Sequence, residues 1–232
     1  ESTYNLNERQ LVLYDKYTKI LEEIILPNQS DIEKEIAIHD YLVDNINYVD
    51  TGDSSYNAYS ALINGIAVCS GYTECFKTLL DMLGIENATI SGEAGGQQHI
   101  WNVVNLDNHW YHVDVTWDDP VGSSSDYIDH SYFNISADDM ALDHTWDRSR
   151  YSAYEKCGAK YSYCRYKKLP LISNVNQLNK LIYSTVKNKT AHIEFTTTYN
   201  ADLKEAISRT GQQLSYSYKN IDRVNYTLDR KS

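Results

Sequence analysis

An α+β fold is predicted, in which N-terminal helices lead to a helix packed on an antiparallel sheet, with a small α/β appendage at the C-terminal end. Three observations predict it. Apolar residues recur at helical spacing over much of residues 11–83, two adjoining runs over 99–117 alternate with period two, and helix and strand patterns alternate beyond Tyr166.

Leu11, Val12, Tyr14, Ile20, Leu21, Ile24 and Ile25 fall on a first helix, and Pro27 stops it. Ser30, with Glu33 three residues on, has the form of a capping box opening a second helix that carries Ile36, Ile38, Tyr41, Leu42 and Ile46. The turn-rich "DTGDSS" interrupts the pattern, and "YNAYSALING" reads as a short helix leading to Gly65. The helix after Cys69 puts Tyr72, Cys75, Phe76, Leu79, Leu80 and Leu83 on one face, and Gly84 suits a left-handed cap at its end. Strand signals follow in "ATISGEA", "HIWNVVNL" and "HWYHVDVTW", the last two joined by Asp107 and Asn108 as a hairpin turn. "DDPVGSSSD" reads as a long polar loop, and "YIDHSYFNIS" offers a further short strand. The appendage reads as a helix over 175–187, a strand over 192–198, a helix over 201–209 and strands over 213–218 and 224–229.

A chain of 232 residues can bury an ordinary core, so disulfides are not needed for folding. A net charge of −11 and the lack of a Lys/Arg cluster argue against nucleic acid as a partner. No apolar run approaches the roughly 20 residues that cross a bilayer. The chain opens on Glu1 rather than Met, so a mature or trimmed form is expected, with any targeting segment outside it, and the 21 tyrosines, three prolines and many Asn and Ser residues point to a secreted or cell-surface protein. The four cysteines form no CxxC zinc pair and are too few for a disulfide scaffold, which leaves open a bridge between Cys157 and Cys164. No cofactor or metal is expected.

The chemistry turns on Cys69. A thiol transfers acyl groups as thiolate, and a helix N-terminus favours that form through its unpaired N–H groups and dipole. Cys69 stands there, and the same N–H groups suit an oxyanion. Cys75 lies on the apolar stripe and reads as core. A base must reach the sulfur and a third group must orient the base. A two- or four-residue hairpin loop pairs Trp101 with Asp114 and His99 with Thr116, which makes His99 and Asp114 diagonal neighbours roughly 7 to 8 Å apart at the backbone. A three-residue loop would put them on opposite faces. His112 shares the face of Asp114 on the same strand, and His109 lies beside the turn on the other face. His39 reads as a satisfied helix histidine. His130 and His144 show no obvious partner, and His144 is kept only for the rim of the site.

"GIAVCSGYTECFKTLLDMLGI", "HIWNVVNLDNHWYHVDVTWDDP", "YFNIS" and "DHTW", in this order, resemble the transglutaminase-like superfamily with its papain-like Cys, His, Asp triad. The resemblance spans about residues 32–146 and looks nearest to bacterial secreted or surface-attached members. It implies a papain/transglutaminase-like core over 1–165, an accessory domain over 166–232, Cys69 as nucleophile, His99 as general base and acid, and Asp114 as the residue orienting His99. Tyr56, Tyr59, Ser70 and Trp101 are candidates for the oxyanion site or cleft wall, and Trp110 and Trp117 for the wall. The larger calcium-regulated assembly of the animal enzymes is absent at this length, and "DDPVGSSSD" lacks the spacing of an EF-hand loop.

The function implied is acyl transfer through a thioester on protein or peptide amides: a glutamine side chain with an amine acceptor, or water in its place for deamidation. The alternatives are a cysteine peptidase of the same fold acting on protein or cell-wall peptide, and a non-catalytic adhesion or scaffold module. A metalloenzyme lacks an HExxH-type ligand pair.

Overall fold

The computed structural model describes residues 7–52, 55–119, 128–188, 194–198, 205 and 227–229. The chain divides into two compact units, Glu1–Ser162 and Tyr163–Ser232.

Helix α1 spans Glu8–Ile24 and opens on a capping box in which Asn7 and Gln10 each accept the other's backbone N–H at 2.9 Å. Helix α2 spans Asp31–Asn45, and the Glu33 carboxylate takes hydrogen bonds from the backbone N–H and hydroxyl of Ser30 at 2.7 and 2.5 Å. Its buried side chains Ile32, Ile36, Ile38 and Leu42 follow the helical period. The segment predicted as a short helix closes in a π-helical turn, Ser60–Asn64, with Gly65 left-handed at φ 69°. Strands β1 (Asn47–Tyr48) and β2 (Ile66–Ala67) then pair in parallel, Tyr48 opposite Ala67.

Helix α3 spans Cys69–Met82. Tyr72, Cys75, Phe76, Leu79 and Leu80 are fully buried along it, the stripe its spacing predicts. It ends in a Schellman motif: Gly84 at φ 72°, with the N–H of Gly84 on the Asp81 carbonyl and that of Ile85 on the Leu80 carbonyl, both at 3.0 Å.

Strands β3 (Asn87–Ala94), β4 (Gln97–Leu106), β5 (His109–Val113) and β6 (His144–Trp146) form an antiparallel sheet in the order β5-β4-β3-β6. Asp107 and Asn108 have φ of 53° and 59°, the two positive values a type I′ turn needs, and the ladder runs from Leu106–His109 to Asn102–Val113. One face carries Ile90, Trp101, Val103, Tyr132 and Met140. Asn102 turns toward α3, its side-chain amide donating to the Thr73 carbonyl at 3.2 Å.

Two strand expectations fail. β5 stops at Val113, because the Asp114 carboxylate takes up the N–H groups of Thr116 and Trp117 and bends the chain out of the ladder. "YIDHSYFNIS" is a turn where it is described; only Ile135 meets the sheet, bridging to His112, while Asp129 and Asp118 accept the backbone N–H groups of Ser131 and Tyr132. A short helix, α4 (Ala137–Met140), follows.

In the second unit, α5 (Tyr163–Tyr166) precedes three parallel strands, β7 (Leu171–Ile172), β8 (Thr196–Thr198) and β9 (Thr227–Asp229), in that order. Helix α6 (Val175–Asn188) connects β7 to the segment before β8 and buries Leu178 and Ile182. The predicted helix over 201–209, apart from residue 205, the predicted strand over 213–218 and the "DDPVGSSSD" loop from Pro120 on lie outside the described residues. Among the described residues no helix is long and apolar enough to cross a membrane.

Candidate active site

Cys69 is the first residue of α3. The helix ladder starts with the N–H groups of Gly71 and Tyr72 on the Val68 carbonyl, at 2.9 and 3.4 Å, so the amides of Cys69 and Ser70 lie ahead of it. The first turn of α3 holds no acidic residue, which leaves the positive end of the helix dipole uncompensated at the sulfur. Cys69 is half-buried and lines an open cavity of about 450 Å³ together with His99, Tyr48, Trp117 and Asp119. Gly95, Gln97 and Gln98 also line it.

His99 joins two partners. Its Nε2 lies 2.5 Å from Oδ2 of Asp114, and the Cys69 sulfur is near enough to act on the ring, with Nδ1 as the ring nitrogen that Asp114 leaves over. Burial pulls the imidazole's pKa down, but the hydrogen bonds and charges of Asp114 and Cys69 outweigh it and push the value up to about 9. Asp114 is fully buried, which would favour its neutral form, yet hydrogen bonds from His144 and His99 hold its carboxyl below the usual range. The arrangement can hold a thiolate–imidazolium pair with a fixed carboxylate behind it.

The structure thus brings Cys69, His99 and Asp114 together, but the last contact differs from the one expected. His99 has no ladder partner at Thr116; Asp114 instead sits just past the end of β5 and swings its carboxylate to the ring. Cys75 is core: burial pushes its thiol up, and it contacts the Ala58 carbonyl at 3.8 Å. Cys157 is a free thiol whose sulfur accepts the Ala137 backbone N–H at 3.2 Å.

The other candidates are displaced. Trp101 is fully buried in the sheet core, its indole N–H donating to Nδ1 of His112 at 3.0 Å. Tyr56 is half exposed, Tyr59 lies under the Arg9 guanidinium at 4.1 Å, and the Ser70 hydroxyl donates to the Tyr56 carbonyl at 3.0 Å. Of the aromatic candidates, Trp117 lines the cavity, and Trp110 packs on Tyr154 instead. Tyr48, missed in the sequence, lines the cavity because the β1–β2 pair sets it beside Ala67, two residues before the nucleophile candidate. Asp119 was missed as well; it accepts a hydrogen bond from the Tyr72 hydroxyl.

The two histidines read as partnerless are both engaged. His144 is buried, its Nε2 3.0 Å from Asp114 Oδ2 and its Nδ1 2.7 Å from Asp143 Oδ1. His130 Nε2 lies 2.7 Å from Asp40 Oδ1. Asp40 also meets Nδ1 of His39, whose Nε2 contacts the fully buried Asp118 at 3.1 Å. His99, Asp114 and His144 form one group of metal-ligand type, and His39, Asp40 and His130 form another. In both, one nitrogen of each imidazole meets a carboxylate of its own group at 2.5 to 3.0 Å, the contacts of a hydrogen-bonded network.

Residues 18–115 match the family model of the transglutaminase-like superfamily. No curated protein matches the chain in sequence. Among solved structures, it is similar to a TGase with 18% identity and a TM-score of 0.44, covering 61% of this chain and 39% of that one. A Cytophaga hutchinsonii protein described as a "Putative Cysteine Protease" gives 17% identity and a TM-score of 0.40, covering 48% of this chain and 40% of that one. Menin, described with its binding site for Mixed Lineage Leukemia (MLL) protein, gives 18% identity and a TM-score of 0.38, covering 51% of this chain and 28% of that one. The chain therefore spans two fifths or less of the length of each of these proteins, and likenesses of this strength carry no argument of their own. The family model carries the assignment, and its match includes Cys69, His99 and Asp114: residues 18–115 are a match to the transglutaminase-like superfamily.

Proposed function

We propose that this protein is a cysteine-dependent acyltransferase that acts on protein or peptide amides through a thioester. The observation that carries the reading is Cys69 at the N-terminus of α3, lining one cavity with an imidazole that Asp114 holds at 2.5 Å. Cys69, His99 and Asp114 are the proposed nucleophile, acid–base and orienting residue. The Cys69 thiolate forms a bond to the amide carbonyl carbon, and the oxyanion is met by the N–H groups at the start of α3. As the C–N bond breaks, His99 gives its Nδ1 proton to the leaving amine, and the thioester remains. An incoming amine or water then yields a proton to His99 as it attacks, the thioester C–S bond breaks, and the thiolate returns. Tyr48 replaces Tyr56 and Tyr59 as the side-chain candidate for the second oxyanion donor, because it shares the cavity with Cys69. The second unit, close to the expected 166–232, is proposed as an accessory domain, and the place of action as the cell exterior.

The test is mass spectrometry of a mixed protein substrate incubated with a labelled primary amine. Amine incorporation, deamidation and cleavage differ in mass, and Cys69→Ala should remove whichever is seen. Equal modification by wild type and Cys69→Ala overturns the proposal.

A further inference from the structure

The proposed triad has a member beyond its three residues. Both oxygens of Asp114 are fully used: Oδ1 accepts the N–H groups of Thr116 and Trp117 at 3.1 and 3.2 Å, and Oδ2 is shared by His99 Nε2 at 2.5 Å and His144 Nε2 at 3.0 Å. His144 is itself held from behind, its Nδ1 2.7 Å from Asp143 Oδ1. An ionised carboxylate only accepts, so a ring with one on each nitrogen must donate from both and is an imidazolium. We infer that His144, as this imidazolium, is a positioning residue for the proposed triad: it anchors the Asp114 carboxylate and shares its charge with His99.

The surroundings bear this out. Asp114, His99, Asp143 and Tyr132 are the titratable groups facing the ring, with His112 close enough to feel the charge on His144. His112 is kept neutral, pushed down to about 3 first by burial and then by the cation on His144. The indole of Trp117, 4.5 Å away between centroids, covers His144 and so keeps it out of the cavity it influences. His144 thus never meets substrate. Its effect passes through Asp114: a carboxylate opposed by two imidazoliums holds each proton less tightly than it would hold one. His99 must release its proton to a leaving amine, and a lone, undivided Asp114 would make that release harder.

This inference rests on the triad reading, and the experiment separates the two. The triad reading is tested first, by the rate at which iodoacetamide alkylates Cys69. A rate above that of Cys157, and lowered in His99→Asn, supports it; a rate no greater than that of Cys157 and unchanged in His99→Asn overturns the reading and the inference together. The inference is tested by imidazole nitrogen NMR on the intact chain. His144 should show both nitrogens protonated at pH 7. In His144→Gln, whose amide still donates to Asp114 without carrying charge, His99 should titrate about one pH unit higher. With Cys69 reactivity retained, a His99 titration unchanged in a folded His144→Gln protein, or a singly protonated His144 at pH 7 in wild type, overturns the role of His144 alone. Asp143→Asn keeps the ring and decides the matter if His144→Gln does not fold: it must lower the pH at which His144 loses its second proton, and unchanged protonation overturns the inference.

Discussion

Asp114 holds its charge among four donors in a site that water does not reach, so its replacement tests both chemistry and stability. Asp114→Asn keeps the size but removes the anion between two imidazoles. Activity should fall about 10³- to 10⁴-fold, as when an orienting aspartate is neutralised in a triad of this type. Stability should fall by about 3–5 kcal/mol, the cost of stranding buried charge, read from urea unfolding. A variant with wild-type turnover would remove Asp114 from the mechanism. At this scale the place of Cys69 at a helix start was legible, because helix phase is a local property of the chain, whereas the ladder expected to join His99 and Asp114 ends before either. The wall was less legible: Tyr48 and Asp119 reach the cavity through the β1–β2 pair and the turn after Asp114, which leave no periodic trace in the sequence.

The β4–β5 hairpin sets the proposed base against its carboxylate. One glycine inserted between Asp107 and Asn108 should shift the register by one residue and turn His99 and Asp114 to opposite faces. Activity in the labelled-amine assay should drop to the level of Cys69→Ala, with the helical circular-dichroism signal kept. Strand β3 has its own constraint at Gly92, where an added Cβ would lie 2.1 Å from the Thr145 carbonyl oxygen on β6. Gly92→Ala should cost about 1–3 kcal/mol by overpacking, measured by urea unfolding, and should displace the strand that carries His144. The hairpin was readable because an Asp-Asn pair between alternating runs favours a two-residue turn. The end of β5 was not, because "DVTW" continues the alternation while the Asp114 side chain captures the next two amides.

At the scale of the first unit, a second buried polar network joins α2 to Asp118, His130 and Asn134. Glu35 accepts the Asn134 side-chain amide at 2.9 Å, His39 bridges Asp40 and Asp118, and Asp40 reaches His130. Such pairings lie up to 99 residues apart in the chain, which is why the sequence gave no sign of a partner for His130. The hydrogen bonds of Asp118 and Asp40 push His39 up to about 9 against the opposing effect of its burial, and His99 also stands at about 9. Histidines raised in the folded state stabilise it fully below their unfolded value near 6.5, and lose that contribution as pH rises through about 9. Glu35 acts in the same direction: burial pushes it up to about 8, so its ionisation opposes folding as pH climbs from its unfolded value toward that figure. The melting temperature should therefore fall between about pH 7 and 9.5, and Glu35→Gln should lessen the fall; a flat profile in wild type would contradict these assignments. The turn after β5 has a further consequence, for redesign. Asp114 orients the proposed base with one oxygen and, with the other, fixes the segment that sends Trp117 and Asp119 into the cavity wall. That wall cannot be reshaped by moving its backbone without disturbing the proton relay.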